Sequence, residues 1–262
     1  MTHDIHAPLT TDLARALDPC ELAAAIGMIP DPWQADVLRS DHPRILLNVA
    51  RQVGKSVTCA TKATHCALYE PGALILLLSP SLRQSTEIFK TVMATYKALG
   101  RPVPSEAESA LTLTLENGSR IVSLPGSEAT IRSYARVRLL IVDEASRVDD
   151  DTIVAVRPML AVGGGQLIAL STPAGRRGWW HAAWTDGGNA YKRVQVPASE
   201  CPRISAAFLA EERASMGQYF FAQEYECSFE SSDACLFDEE TLRKMWDTLG
   251  VVRPLFPTMQ GV

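Results

Sequence analysis

Apolar residues along this chain fall into two patterns, and the switches between them mark out its elements. Four short runs, 45–49, 74–79, 139–142 and 167–170, are almost continuously apolar and are bounded by turn residues. Such runs suit strands buried on both faces of a parallel sheet, where alternation with polar residues is lost. Between them the period changes to that of a helix: 55–69 is helical up to Pro71-Gly72, and Leu82, Ile88, Phe89, Val92, Met93, Tyr96 and Leu99 share one face of a second helix. True alternation occurs only at 111–115 and 120–124, around Asn117-Gly118, and predicts a hairpin at the sheet edge. Residues 10–27 read as two short helices, the second capped by Asp18 with Pro19 at its first position and stopped by Gly27. Residues 191–196 read as a further strand, and 204–216 and 218–225 as two helices parted by Gly217.

The expected class is therefore α/β, a mostly parallel central sheet flanked by helices. At 262 residues, with 47% hydrophobic and 21% charged positions, the chain can bury a sizeable core. No apolar run is long enough to span a membrane, and Asp4 and Asp12 stand where a signal peptide carries basic residues, so a cytosolic protein is expected. Its net charge of −5 gives no global basic field, which leaves only local basic strips for a nucleic acid. The six Cys contain no C-x-x-C pair and read as reduced, mostly buried thiols.

Candidate chemistry gathers where the apolar runs end. After 45–49 comes A-R-Q-V-G-K-S, in which Gly54 allows close backbone approach, Lys55 would reach the β- and γ-phosphates and Ser56 would bind Mg²⁺. The usual phosphate-loop pattern has a Gly where Val49 stands. The run 139–142 delivers Asp143 and Glu144 side by side: Asp143 fits the Mg²⁺ shell, and Glu144 fits the group that orients or deprotonates the attacking water. Asp149, Asp150 and Asp151 read as helix caps. Trp33-Gln34, after two prolines, can be read in two ways: Gln34 reads adenine bidentately, or the segment is a helix start with a buried Trp. Ser171-Thr172 at the end of 167–170 is either a γ-phosphate sensor or a plain turn. Arg83 and Gln84 sit where open α/β sheets hold ligands, with capping or solvation as the other reading. Arg176 and Arg177 beside Trp179, Trp180 and Trp184 suit either a nucleic-acid surface or a core anchor.

Taken together, W-Q at 33–34, A-R-Q-V-G-K-S at 50–56, S-P-S-L-R-Q-S at 79–85, L-L-I-V-D-E-A at 139–145 and L-S-T-P-A-G at 170–175 resemble the ATPase domain of viral and prophage terminase large subunits. The resemblance covers roughly 30–230. It implies a P-loop NTPase of the ASCE type that uses ATP and Mg²⁺ to move double-stranded DNA. Its nucleotide contacts would be Trp33, Gln34, Arg51, Gln52, Val53, Gly54, Lys55, Ser56 and Thr172, its metal ligands Ser56 and Asp143, and its catalytic residues Glu144, Arg51 and Arg132. Arg51 then corresponds to a loop arginine acting on the γ-phosphate in cis. Arg132, in T-I-R-S, matches the region of an arginine offered to a neighbouring subunit, although Ser133 departs from the I-R-G common there. Implied partners are the terminase small subunit, a portal protein and further copies in a ring, all in the host cell cytoplasm with no membrane.

On this basis 1–230 is expected to be the ATPase domain, with 1–30 a helical N-terminal extension. The segment 231–262 is expected to be a linker and a C-terminal piece, including a short helix from 238 to 249, that leads to an absent nuclease domain. Two other readings share many of these residues: a helicase-type nucleic-acid-dependent ATPase, and an idle remnant or docking module of the same fold. The first lacks a second lobe here, and intact Lys55, Ser56, Asp143 and Glu144 argue against the second.

Overall fold

The computed structural model describes residues 6–126 and 134–230. Arg132, Ser133, Cys235 and the helix expected at 238–249 lie outside the described residues. In chain order the elements are α1 (His6–Leu17), α2 (Pro19–Ala25), α3 (Pro32–Arg39), β1 (Arg44–Val49), α4 (Lys55–Tyr69), β2 (Leu74–Ser79), α5 (Leu82–Ala98), β3 (Ser105–Glu108), β4 (Thr112–Leu115), β5 (Arg120–Pro125), β6 (Val137–Asp143), α6 (Asp150–Val156), β7 (Gln166–Ser171), α7 (Gly178–Thr185), β8 (Lys192–Val196) and α8 (Ala206–Tyr225). Short 3₁₀ turns fill several connections.

The eight strands among the described residues form one sheet in the order β3-β4-β5-β2-β6-β7-β1-β8. From β5 to β8 every pairing is parallel, and only β3–β4 and β4–β5 are antiparallel. The expected hairpin is β4–β5, and it extends the sheet beyond β2, with which β5 pairs. A third short strand, β3, lies outside it; its S-E-A-E sequence is mostly exposed and carries no strand signature.

Side-chain alternation explains why the central strands read as continuous apolar runs. Ile45, Leu47, Ile75, Leu77, Ile141, Ile168 and Leu170 enter a core shared with α4, α5 and residues of α8. Their neighbours Leu46, Leu76, Leu78, Leu140, Val142, Leu167 and Ala169 enter a second core on the opposite face, with Ile153, Val156 and Trp180. Each fully buried aliphatic side chain stabilises the fold by about 1.5–3 kcal/mol, so a polar residue on either face of a central strand is strongly disfavoured. Both layers thus hold the strands rigid and leave their ends free for chemistry.

Local signals set the element ends. Asp18 caps α2, its carboxylate accepting from the Cys20 N–H at 2.9 Å. Gly217, at φ 78°, splits α8 into the two helices expected on either side of it. In the Gly163-Gly164-Gly165 turn, a Cβ on Gly165 would lie 2.0 Å from the Val137 carbonyl, so this Gly serves close packing under β6. Trp180 is fully buried, and Trp179 and Trp184 pack beside it on the second core, which gives the aromatic cluster a core role. Arg176 donates to the Phe229 carbonyl at 2.8 Å. Of the five described cysteines, all free, four are buried, and burial pushes the Cys66 and Cys227 thiols up to about 12.

Candidate nucleotide site

Three adjacent strands, β6, β7 and β1, end on the same edge of the sheet, because all three run parallel. Each delivers polar residues there. After β1 the chain turns through 50–54, with Gln52 at φ 63° and Gly54 at φ 102°, and enters α4 at Lys55. A side chain at Gly54 would be strained by that φ, and its Cβ would lie 2.9 Å from Gln34 Nε2. Only glycine fits, as expected where a backbone must approach an anion. Lys55 is buried, and its Nζ lies 3.5 Å from the Val49 carbonyl at the far end of the same loop. Ser56 follows on the first turn of the helix, half-buried.

At the end of β6, Asp143 is buried and Glu144 is half-buried. Burial, and then the neighbouring Glu144, push the Asp143 carboxyl up to about 6, with Lys55 pulling the other way. With Lys55 opposing that rise only in part, this buried carboxylate suits a divalent ion. Glu144 adopts a left-handed conformation, φ 48°, and its N–H donates to Asp143 Oδ1 at 3.0 Å. At the end of β7, Ser171 Oγ lies 2.7 Å from Ser146 Oγ, tying this strand to the segment after Glu144.

Thr172 is buried, and its hydroxyl donates to Glu224 Oε2 at 3.0 Å. Arg51 Nε donates to the same oxygen at 2.7 Å, while the Arg51 N–H donates to the Glu224 carbonyl at 3.1 Å. Arg147 stands between Glu144, at 3.8 Å, and Glu224 Oε1, at 3.9 Å. Glu224 and Arg147 were not among the sequence-derived candidates. Nothing local marks either: Glu224 is one acid in an ordinary helix, and its partners lie far away in sequence.

Gln34 is buried at the start of α3, where both ends of its amide are hydrogen-bonded within the fold. It closes a capping box with Asp31 at the start of α3, its Oε1 accepting from the Asp31 N–H at 2.8 Å. Its Nε2 donates to Thr58 Oγ1 at 3.0 Å, and its side chain is buried. Of the two ends of the amide, Nε2 is the one beside Gly54, and it keeps one further hydrogen to donate. Trp33 packs against the first core with its indole N–H buried and unpartnered. Arg83 is exposed and Gln84 supports the Ser81 cap of α5, whose Oγ donates to Gln84 Oε1 at 2.7 Å. Gln52 is exposed and Val53 buried within the loop. Among the described residues no helix is long and apolar enough to cross a membrane.

Residues 46–244 match the family described as terminase large subunit, T4likevirus-type, N-terminal. Among curated proteins, the terminase large subunit of Escherichia phage T5 is 25% identical over 231 residues, covering 83% of this chain and 52% of that protein. The chain thus spans about half the length of this relative. Among solved structures, the large terminase ATPase domain of Thermus phage P74-26 superposes with a TM-score of 0.72 at 19% identity, over 79% of this chain and 97% of that one. The large terminase of bacteriophage HK97 gives 0.63 at 18% identity, over 78% of this chain and 51% of that one. At these identities the structural likeness shows the α/β fold.

Proposed function

This chain belongs to the T4likevirus-type terminase large subunits through their N-terminal part, and from that premise we propose that it is an ATP-hydrolysing motor domain driving double-stranded DNA into a procapsid. The observation that carries this reading is the meeting of Lys55, Asp143, Glu144 and Thr172 at the ends of three adjacent parallel strands. The family assignment takes the place of the helicase-type alternative, and the intact acids at 143 and 144 speak against an idle remnant.

The loop and the start of α4 bind the triphosphate, with Lys55 supplying the charge for its outer phosphates. Ser56 and Asp143 would hold Mg²⁺, an ion that takes few protein ligands and shares the phosphates. When bound, it neutralises the charge that develops on the phosphate oxygens. Glu144 orients the attacking water and accepts its proton. Trp33 and Gln34 face the base, and Arg51, with Gln52 and Val53 beside it in the loop, serves the γ-phosphate. Thr172 carries the state of the site to α8 through Glu224, the residue it shares with Arg51.

Arg132 remains a sequence-based assignment as the arginine offered to the neighbouring subunit of a ring, since it lies outside the described residues. The portal protein and the terminase small subunit are the assembly partners proposed with it. Turnover of ATP by the chain, alone and then assembled with double-stranded DNA and a portal, tests the reading. Hydrolysis should appear with assembly and vanish in Lys55→Ala. Absence of hydrolysis from an assembly that holds DNA would overturn it.

A further inference from the structure

A loop that binds an anion through its backbone must turn its N–H groups inward, and so must send its carbonyls outward to other donors. In this chain the two carbonyls that flank Gly54 each have such a donor. The Gly54 carbonyl accepts from Thr58 Oγ1 at 3.0 Å, one turn on in α4. The Val53 carbonyl accepts from Nη2 of Arg203 at 3.0 Å, from a residue that follows β8. In a trans peptide the carbonyl and the N–H point to opposite sides. Whatever takes the Val53 carbonyl therefore aims the Gly54 N–H.

Arg203 is itself fixed. Its Nη1 and Nη2 donate to the two carboxylate oxygens of Asp31 at 3.0 and 2.8 Å, a two-pronged pairing that sets the guanidinium plane. Asp31 is the N-cap of α3, and its N–H is held by Gln34, whose amide in turn donates to Thr58. The contacts close a circuit from Arg203 through Asp31, Gln34 and Thr58 back to the Gly54 carbonyl. Both peptides around Gly54 are thus gripped from outside. A Cβ on Gly54 would lie 4.0 Å from Arg203 Nη2, so the guanidinium stands directly beside the loop.

We propose that Arg203 is a positioning residue for the phosphate loop, holding the Val53–Gly54 peptide so that its N–H faces the bound triphosphate. The proposal rests on the nucleotide reading of this loop. It assigns Arg203 to the phosphates rather than to the base, and makes Asp31 the group that orients it. Lysine cannot replace it fully, since the three donors of an ammonium sit on one nitrogen and have no fixed plane.

Equilibrium binding of ATP and of inorganic tripolyphosphate, each with Mg²⁺, tests this on the intact chain, with Lys55→Ala as a control. Arg203→Met should weaken both ligands by a similar factor, about tenfold for the loss of one charge-assisted bond to the loop. Arg203→Lys should recover part of that loss, and Asp31→Asn should show less than Arg203→Met because the Val53 contact persists. The thermal midpoint without ligand should stay within a few degrees of wild type in all three. Unchanged affinity in Arg203→Met, or a loss for ATP but none for tripolyphosphate, would overturn the assignment. So would a collapse of the unliganded midpoint that accounts for the whole loss. A wild-type chain that binds both probes no better than Lys55→Ala would remove the nucleotide reading itself, and the proposal with it.

Discussion

Arg51 donates from Nε to Glu224 at 2.7 Å, and the Thr172 hydroxyl donates to the same carboxylate oxygen. One carboxylate on α8 therefore holds two of the groups assigned to the γ-phosphate. The Arg51 side chain is 56% exposed and that of Glu224 17%, so the pair is partly screened and worth about 0–1 kcal/mol. A phosphate dianion competes for the same guanidinium. Glu224→Gln keeps an acceptor for Thr172 and removes the charge that holds Arg51. Its ATP affinity should rise by no more than about fivefold, the equivalent of that weak pair. A fall in affinity would show that Glu224 presents Arg51 to the nucleotide instead of competing for it.

Glu144→Gln should bind ATP as wild type does and lose hydrolysis by at least about 10²-fold, because the amide keeps the shape and cannot take a proton. Lys55→Ala should lose binding and hydrolysis together. Filter binding of labelled ATP alongside phosphate release separates the two. Wild-type turnover in Glu144→Gln would move the base to another residue, and Asp143 would be the first to test.

The strands and the motifs at their ends were legible because both depend on neighbours in sequence. The run from Leu74 to Leu78 is apolar throughout because helices cover both of its faces, and Gly54 announces itself through the Lys55-Ser56 that follows. The groups that tune the loop were not legible. Glu224 lies 173 positions from Arg51, and Arg203 lies 150 from Val53, so no local spacing links them. Each is a common charged residue whose meaning comes only from the fold that brings it to β1. Strand β3 was missed for a related reason: exposed on the sheet edge, Ser105–Glu108 needs no apolar pattern.

Gln34 combines structure and recognition, and the two separate by measurement. Gln34→Ala removes the bonds to the Asp31 N–H and to Thr58 Oγ1, and should lower stability by about 1–2 kcal/mol. It should also reduce the preference for ATP over inosine triphosphate, whose base has no N6 amino group. Chemical denaturation reads the first effect, and competition binding with the two nucleotides reads the second. A stability loss with the nucleotide preference intact would confine Gln34 to capping α3.

The contact between α1 and α4 should make stability fall in mild acid. His65 Nε2 lies 3.0 Å from the Arg15 carbonyl, and the ring stacks obliquely on Tyr69, whose hydroxyl donates to Asp12 at 2.9 Å. Burial is the main influence on His65 and lowers its pKa from the ordinary value; Lys62 acts the same way, while the Arg15 carbonyl and Glu70 oppose it. With the folded value below the unfolded one of about 6.5, the unfolded chain takes up a proton that the folded chain refuses. The unfolding free energy therefore decreases as pH drops below about 6.5, continues to fall until the folded-state pKa is reached, and is insensitive to His65 above about 7.5. His65→Gln keeps a donor for the Arg15 carbonyl and does not titrate. Urea midpoints at pH 5.5 and 7.5 should differ less in this variant than in wild type. Equal differences in the two proteins would assign the acid sensitivity to other groups.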